Sequence, residues 1–297
     1  MNNVLQPKKH VFLIYLLPGI ILYTFTVFVP IVYALYYGFF NWSGGMRMKY
    51  IGLKNFADLL KDDVFWQSFS NNIILTVVCI IGQIGFAFLF AMLLNSKYIK
   101  FKSIHRTMAY LPVVLSAVVV GFIWSMTYDF NYGLLNNLLK TFGATGAIRP
   151  WLSQSKIAIY LVSIPLVWQF IGFYLVILMA AFSSIDKEIL EMAEIDGANG
   201  IKKVIYVTLP MVKNTILVCV TLCIAGNMKA FDHIFVMTAG GPGTATSVMA
   251  LYAYNTSFIR YQMGYGSAMS ILILVLSLVL IGGSRSVISY FLKDKEV

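Results

Sequence analysis

The chain has 297 residues, of which 59% are apolar and only 11% charged; its mean hydropathy of +0.80 excludes an ordinary water-soluble domain and points to an integral membrane protein. The formal charge of +10 does not indicate a nucleic-acid binder, because the basic residues fall between apolar runs, as the positive-inside rule expects of cytoplasmic loops. Cys79, Cys219 and Cys223 all lie within apolar runs, where a thiol is a small hydrophobe, so neither a disulfide framework nor a metal site is expected.

Residues 11–40 are too long for a signal-peptide core and lack a convincing small-residue cleavage site, so they read as a first span. Pro18-Gly19 and Pro30 allow bends, and Tyr36, Tyr37, Phe39, Phe40 and Trp42 make an aromatic belt at its outer end. Residues 41–68 read as an external loop or an amphipathic helix on the membrane surface. Spans two to four are expected at 69–95, 106–128 and 157–182, each near the roughly 20 residues a bilayer demands. A basic turn from Lys97 to Arg106 joins the second to the third. Residues 129–156 form an outer loop in which Asn131, Gly133, Asn136 and Asn137 supply turns and caps. Within the fourth span Gln169 lies among Trp168, Phe170, Phe173 and Tyr174. An amide there needs a partner. It either bonds a neighbouring helix or, beside aromatic faces, meets a polar solute with C–H-rich faces such as a sugar ring.

The polar stretch 183–212 separates two strongly apolar runs. Ser184 or Asp186 is suited to capping a short helix, Glu188 suits its first turn, and Gly197 suits its end. At about 100° per residue, Ile185, Ile189, Leu190, Met192 and Ala193 share one arc and Lys187, Glu191 and Glu194 the opposite one. Leu209-Pro210 then reads as the first turn of the next helix. A fifth span is expected at 213–237, with Asn227 roughly 15 Å from its outer end and so near mid-bilayer. Lys229 and Asp232, one turn apart, can neutralise each other, or Lys229 can snorkel outward; with Asn227 and His233 they belong on a bundle interior or an aqueous path. Gly240-Gly241-Pro242 breaks the helix and leaves the loop 238–261, rich in Tyr252, Tyr254, Phe258 and Tyr261, free to meet an external partner. A sixth span covers 262–290.

Two groups of residues carry a family resemblance. Glu191-x-Ala193, Asp196-Gly197-Ala198 and Leu209-Pro210 together resemble the EAA coupling motif of ABC importer permeases, with Met192 standing where the family usually has Ala. Phe231-Asp232 followed by Thr238-x-Gly240-Gly241-Pro242 resembles the end of the fifth core span in carbohydrate ABC permeases similar to the first permease of the maltose and glycerol-phosphate systems. Gly52-Leu53-Lys54-Asn55-Phe56 and Phe65-Trp66 look like the segment before the second span of sugar-import permeases.

The resemblance implies an all-α polytopic protein with six transmembrane helices in the type I importer fold. Residues 1–68 would hold the N-terminus, first span and external loop, 69–290 the permease core with a coupling helix at 184–200, and 291–297 a cytoplasmic tail. Glu191, Ala193, Asp196, Gly197, Leu209 and Pro210 would engage an ATPase. Trp168, Gln169, Phe173, Asn227, Lys229 and Asp232 would line the solute path, and Gly240, Gly241 and Pro242 would contact an extracellular solute-binding protein. A second permease, an ATPase dimer, membrane lipid and a sugar, with oligosaccharide as the expected class, complete the partners. The basic groups at Lys8 and Lys9, Lys97 to Arg106, Lys187 to Lys213 and Arg285 to Lys295 put both termini in the cytoplasm. No G-x-x-x-x-G-K-[ST] occurs, so this chain would carry no cofactor and no enzymatic activity; ATP and Mg would belong to the ATPase. The rival reading is an ion-coupled secondary transporter in which Lys229 and Asp232 are the coupling charges.

Overall fold

The computed structural model describes residues 9–96 and 99–293; Lys8, Lys97 and the tail 294–297 lie outside the described residues. Two compact units emerge, one made of the chain up to Asp62 with Ala253–Leu274, the other of Asp63–Tyr252 with the chain from Val275.

In the first unit, α1 (Lys9–Tyr23), a wide π turn (Thr24–Phe28) and α2 (Val29–Gly38) follow one another, and Ile14–Gly38 is long and apolar enough to cross a membrane. The wide turn comes just before Pro30, whose ring and missing N–H disturb the regular ladder. The segment expected as an external loop or a surface helix holds a short hairpin and a short helix. Strands β1 (Phe40–Trp42) and β2 (Met48–Tyr50) pair antiparallel with Phe40 opposite Tyr50, and α3 (Lys54–Leu59) follows. Asn55 Nδ2 donates to the carbonyls of Gly38 and Phe40, both at 2.9 Å, which answers the open C-terminal end of α2. Tyr37 stacks on Trp42 with centroids 4.3 Å apart, and Phe40 meets Tyr50 edge-on.

The second unit opens with α4 (Asp63–Cys79), a wide turn (Ile80–Ile84) and α5 (Gly85–Asn95), so the helix that carries the second span begins at Asp63. The third is not straight: α6 (Lys102–Tyr110) and the tight turn Leu111–Val114 meet α7 (Ala117–Thr127) at 96°. Pro112 starts the change, and Leu115 and Ser116 are extended, with ψ of 144° and 137°. In the outer segment α8 (Leu134–Thr141) is held by Asn136, which is fully buried, donates to Phe130 and Arg149 carbonyls and accepts from Trp151 Nε1.

Helix α9 (Ala158–Ser183) is the centre of this unit and packs against α4, α5, α6, α7, α13 and α14, the last two defined below. Pro165 has no N–H for the Leu161 carbonyl, and the Tyr128 hydroxyl donates to that oxygen instead at 3.3 Å. Gly172 lets α6 lie directly on α9, since a Cβ there would stand 2.1 Å from the Ala109 oxygen.

Beyond α9 come α10 (Lys187–Ile195), α11 (Ile201–Lys203), a wide turn (Val204–Thr208) and α12 (Leu209–Met211). A 72° bend leads into α13 (Lys213–Met228), so Leu209-Pro210 closes a helical stretch instead of opening the fifth span. Then follow α14 (Asp232–Thr238), α15 (Met249–Tyr254), a wide turn (Asn255–Ile259) and α16 (Met263–Lys293). Among the described residues four helices are long and apolar enough to span, or up to six spans when each bent pair counts as one. The molecule is an all-α polytopic membrane protein apart from the one small hairpin seen among the described residues.

Candidate functional site

The expected fifth span is cut. Helix α13 ends at Met228, Lys229 (φ −109°, ψ 15°) and Phe231 (φ −143°, ψ −59°) leave helical geometry, and α14 begins at Asp232. A cut end inside a membrane leaves carbonyls in need of donors. Asn72 Nδ2 supplies one, bonding the Asn227 carbonyl at 2.8 Å. The break faces a cavity of about 510 Å³ whose walls include Phe173, Asn227, Lys229, Asp232, Gln83 and His233. Irregular backbone at membrane depth is tolerated where it is buried in protein or borders a wet cavity.

Of the six path residues expected from sequence, the cavity gathers Phe173, Asn227, Lys229 and Asp232. Asn227 Nδ2 is bonded within its own helix, to the Cys223 carbonyl at 2.8 Å. Lys229 and Asp232 are both exposed, and no ion pair joins them among the described residues. Their expected mutual neutralisation fails because three-residue spacing makes neighbours only on a continuous helix, and here the helix is interrupted between them.

Gln169 and Trp168 are not in the cavity wall. Gln169 is 2% exposed; its Nε2 donates to the Leu115 carbonyl at 2.8 Å and its Oε1 accepts from His233 Nε2 at 2.7 Å. With Oε1 as acceptor, the ring nitrogen facing it carries the proton. The amide thus finds its partners in protein, at the bend of the third span and at the restart of the fifth. Trp168 stands edge-on to Trp124, with centroids 6.2 Å apart. Sequence reasoning missed Gln83, which donates from Nε2 to the Leu166 carbonyl at 2.9 Å and lines the cavity. The signal was present: Gln83 is an amide inside an apolar span, as Gln169 is.

The glycine-rich segment after α14 is a tied turn, not a free loop. Thr246 is fully buried; its Oγ1 donates to the Gly241 carbonyl at 2.8 Å and lies 2.7 Å from Thr238 Oγ1. From α4, Asn71 Nδ2 donates to the carbonyls of Thr244 and Ser247, Ser68 bonds Ser247, and Asn72 Oδ1 accepts from the Met249 N–H. Gly240, at φ +90°, is buried; Gly241 and Pro242 are half-buried, and Gly243 and Thr244 form the exposed tip. Residues 249–259 are helical, which corrects the expected loop over 238–261. Tyr252 is buried, whereas Tyr254, Phe258 and Tyr261 are exposed.

At the coupling segment the helix covers Lys187–Ile195, shorter than the expected 184–200. Asp186 is extended at its start but makes no side-chain cap bond, and Ser184 Oγ donates back to the Ala181 carbonyl. The C-terminus is closed by Gly197 at φ +80°, with Ala198 N–H on the Ala193 carbonyl at 2.8 Å and Gly197 N–H on the Glu194 carbonyl at 3.1 Å. That pair of bonds with a left-handed glycine is the Schellman arrangement. The ion pair here joins Glu194 and Lys203 at 2.8 Å, not Lys187 and Glu191. Ala193 is buried, while Glu191, Asp196, Gly197 and Leu209 are exposed and Pro210 half-buried. Met192 is 56% exposed, because it lies about 100° round the helix from Ala193. The apolar arc is therefore unevenly covered within this chain.

Comparison with known proteins bears on these features. The profile of the family described as binding-protein-dependent transport system inner membrane component matches residues 83–287. A probable ABC transporter permease protein of Pyrococcus horikoshii is 33% identical over 93% of this chain and 94% of its own length. A lactose transport system permease protein of Rhizobium radiobacter is 30% identical over 90% of each chain. Among solved structures, a chain of a bacterial ABC transporter involved in the import of the acidic polysaccharide alginate superposes with a TM-score of 0.81 at 22% identity, covering 95% of this chain and 96% of that one; at that identity the likeness speaks for the fold.

Proposed function

Because the chain belongs to the binding-protein-dependent transport system inner membrane component family, we propose that it is one permease subunit of an ATP-driven sugar importer. It would pair with a second permease, two ATPase subunits and an external solute-binding protein, with both termini in the cytoplasm. The observation that carries the reading is the cavity at the cut fifth span, which brings Phe173, Asn227, Lys229 and Asp232 together beside non-helical backbone. Aromatic faces and amides suit the C–H faces and hydroxyls of a sugar ring, and the lactose system among similar proteins supports a saccharide. Oligosaccharide is the class proposed. Solute handed over at the outer side would rest in this cavity and leave inward as the ATPases reopen.

In the same reading, Glu191, Ala193, Asp196, Gly197, Leu209 and Pro210 form the ATPase-facing segment, and Gly240, Gly241 and Pro242 shape the turn offered to the binding protein. ATP and Mg would be held by the ATPase, and no covalent chemistry falls to this chain. The secondary-transporter alternative would need Lys229 and Asp232 to cycle protons or ions without an ATPase. Proteoliposomes carrying the co-expressed assembly distinguish the two. Uptake of labelled oligosaccharide is expected to require internal ATP and external binding protein, and to ignore an imposed proton or sodium gradient. Gradient-driven uptake by the chain alone would overturn the proposal.

A further inference from the structure

A second cavity lies where α5, α6 and α9 meet, apart from the fifth span. It has a volume of about 290 Å³ and is walled by Phe90, Leu93, Leu94, Ile99, Ala109 and Leu175, with His105 the one polar side chain among them. Phe90 and Leu93 are also exposed on the outside of α5, so the slot borders a surface that a membrane helix turns toward lipid. The chain that forms the slot also carries Lys100, Lys102 and Arg106. None of these has an acidic partner among the described residues; Lys102 Nζ reaches only the Asn95 carbonyl, at 3.4 Å. Nor is one within reach along the chain, since no Asp or Glu occurs between Asp63 and Asp129, and α9, which packs on α6, has none. Beside these cations, Phe101, Ile104 and Met108 expose apolar side chains.

We propose that the slot and its cations hold one anionic phospholipid, an acyl chain in the apolar slot and the headgroup phosphate among Lys100, Lys102 and Arg106. Free phosphate would use the cations and leave the slot idle, whereas a neutral lipid would use the slot and leave three uncompensated cations. An anionic lipid answers both, with charge-assisted bonds to the phosphate and burial of methylenes. Long basic stems lying over apolar surface with their heads at the interface suit this geometry.

The test is native mass spectrometry of the full-length chain, extracted in its assembly and equilibrated with equal amounts of phosphatidylglycerol and phosphatidylethanolamine. The wild type is expected to retain phosphatidylglycerol preferentially. Lys100→Gln, Lys102→Gln and Arg106→Gln should each lower that preference about fivefold, the equivalent of roughly 1 kcal/mol per cation at an anionic surface. Leu93→Trp, at an exposed position on the slot wall, should fill the slot and reduce phosphatidylglycerol retention while keeping every cation. Equal retention of the two lipids by the wild type, or an unchanged preference in the cation variants, overturns the proposal. So does undiminished retention in Leu93→Trp, which would mean diffuse attraction by loop charge, or displacement of the lipid by inorganic phosphate at millimolar concentration. Should one of the cation variants fail to assemble, the other two and Leu93→Trp decide the matter.

Discussion

Replacing Asn227 with Leu removes an amide from the cavity wall, but the backbone carbonyl of residue 227 keeps its bond from Asn72. The amide's own bond is to a carbonyl one turn back, so little of the fold depends on it. Uptake is therefore expected to fall at least tenfold with assembly and basal ATP hydrolysis unchanged; normal uptake at matched expression would remove Asn227 from the solute path. Gln169→Leu should behave in the opposite way. It orphans the buried His233 ring N–H, at a cost of about 1–3 kcal/mol, and takes the donor from the part-buried Leu115 carbonyl. A clear fall in the melting temperature of the purified assembly is expected, and unchanged melting would mean that the amide is dispensable. The sequence showed that both amides need partners, but not which of them faces a cavity. A side chain's partner is set by packing between distant segments, and 54 residues separate Gln169 from Leu115.

At the level of elements, hydropathy located the apolar runs well and missed both breaks. A window average is insensitive to a short non-helical interruption such as Lys229–Phe231 when the longer flanking runs, 215–226 and 234–237, stay mostly apolar. The hairpin of β1 and β2 escaped for a similar reason: strands of three residues are too short to display alternation. The end of α10 was legible, because a left-handed position favours glycine. Gly197→Asp places a side chain at φ +80° with nothing within 4 Å of its Cβ, so the harm is conformational strain in this chain plus lost approach of a partner. Glu191→Lys reverses an exposed charge that has no ion pair among the described residues. Removing one partner of a desolvated interface pair costs roughly 2–5 kcal/mol, against about 0.5 for an exposed intrahelical pair. Both variants are expected to insert normally and to abolish binding-protein-stimulated ATP hydrolysis, and a compensating acid in the ATPase should partly restore Glu191→Lys. Normal pumping by both would exclude α10 as the coupling element. Thr246→Val removes the hydroxyl that ties the glycine turn to Gly241; it should weaken stimulation of ATPase activity by loaded binding protein several-fold while leaving basal hydrolysis intact.

For the molecule as a whole, class and span number were legible in composition and in the lengths of the apolar runs, and the family in two short motifs. The bends were not, since they depend on which amide of one span meets which carbonyl of another. Gln169 is the clearest case. By binding Leu115 at one corner and His233 at another, and with Gly121 allowing α7 to lie against Val236 and Met237 of α14, it makes two half-helices into one hinged leaf. Such a leaf is expected to move as one body. Spin labels at Val119 and Phe235, both exposed on its two halves, should then keep a constant separation through an ATP cycle, while the distance from either to Leu222 on α13 changes. The door of this transporter would then be hung on a single amide.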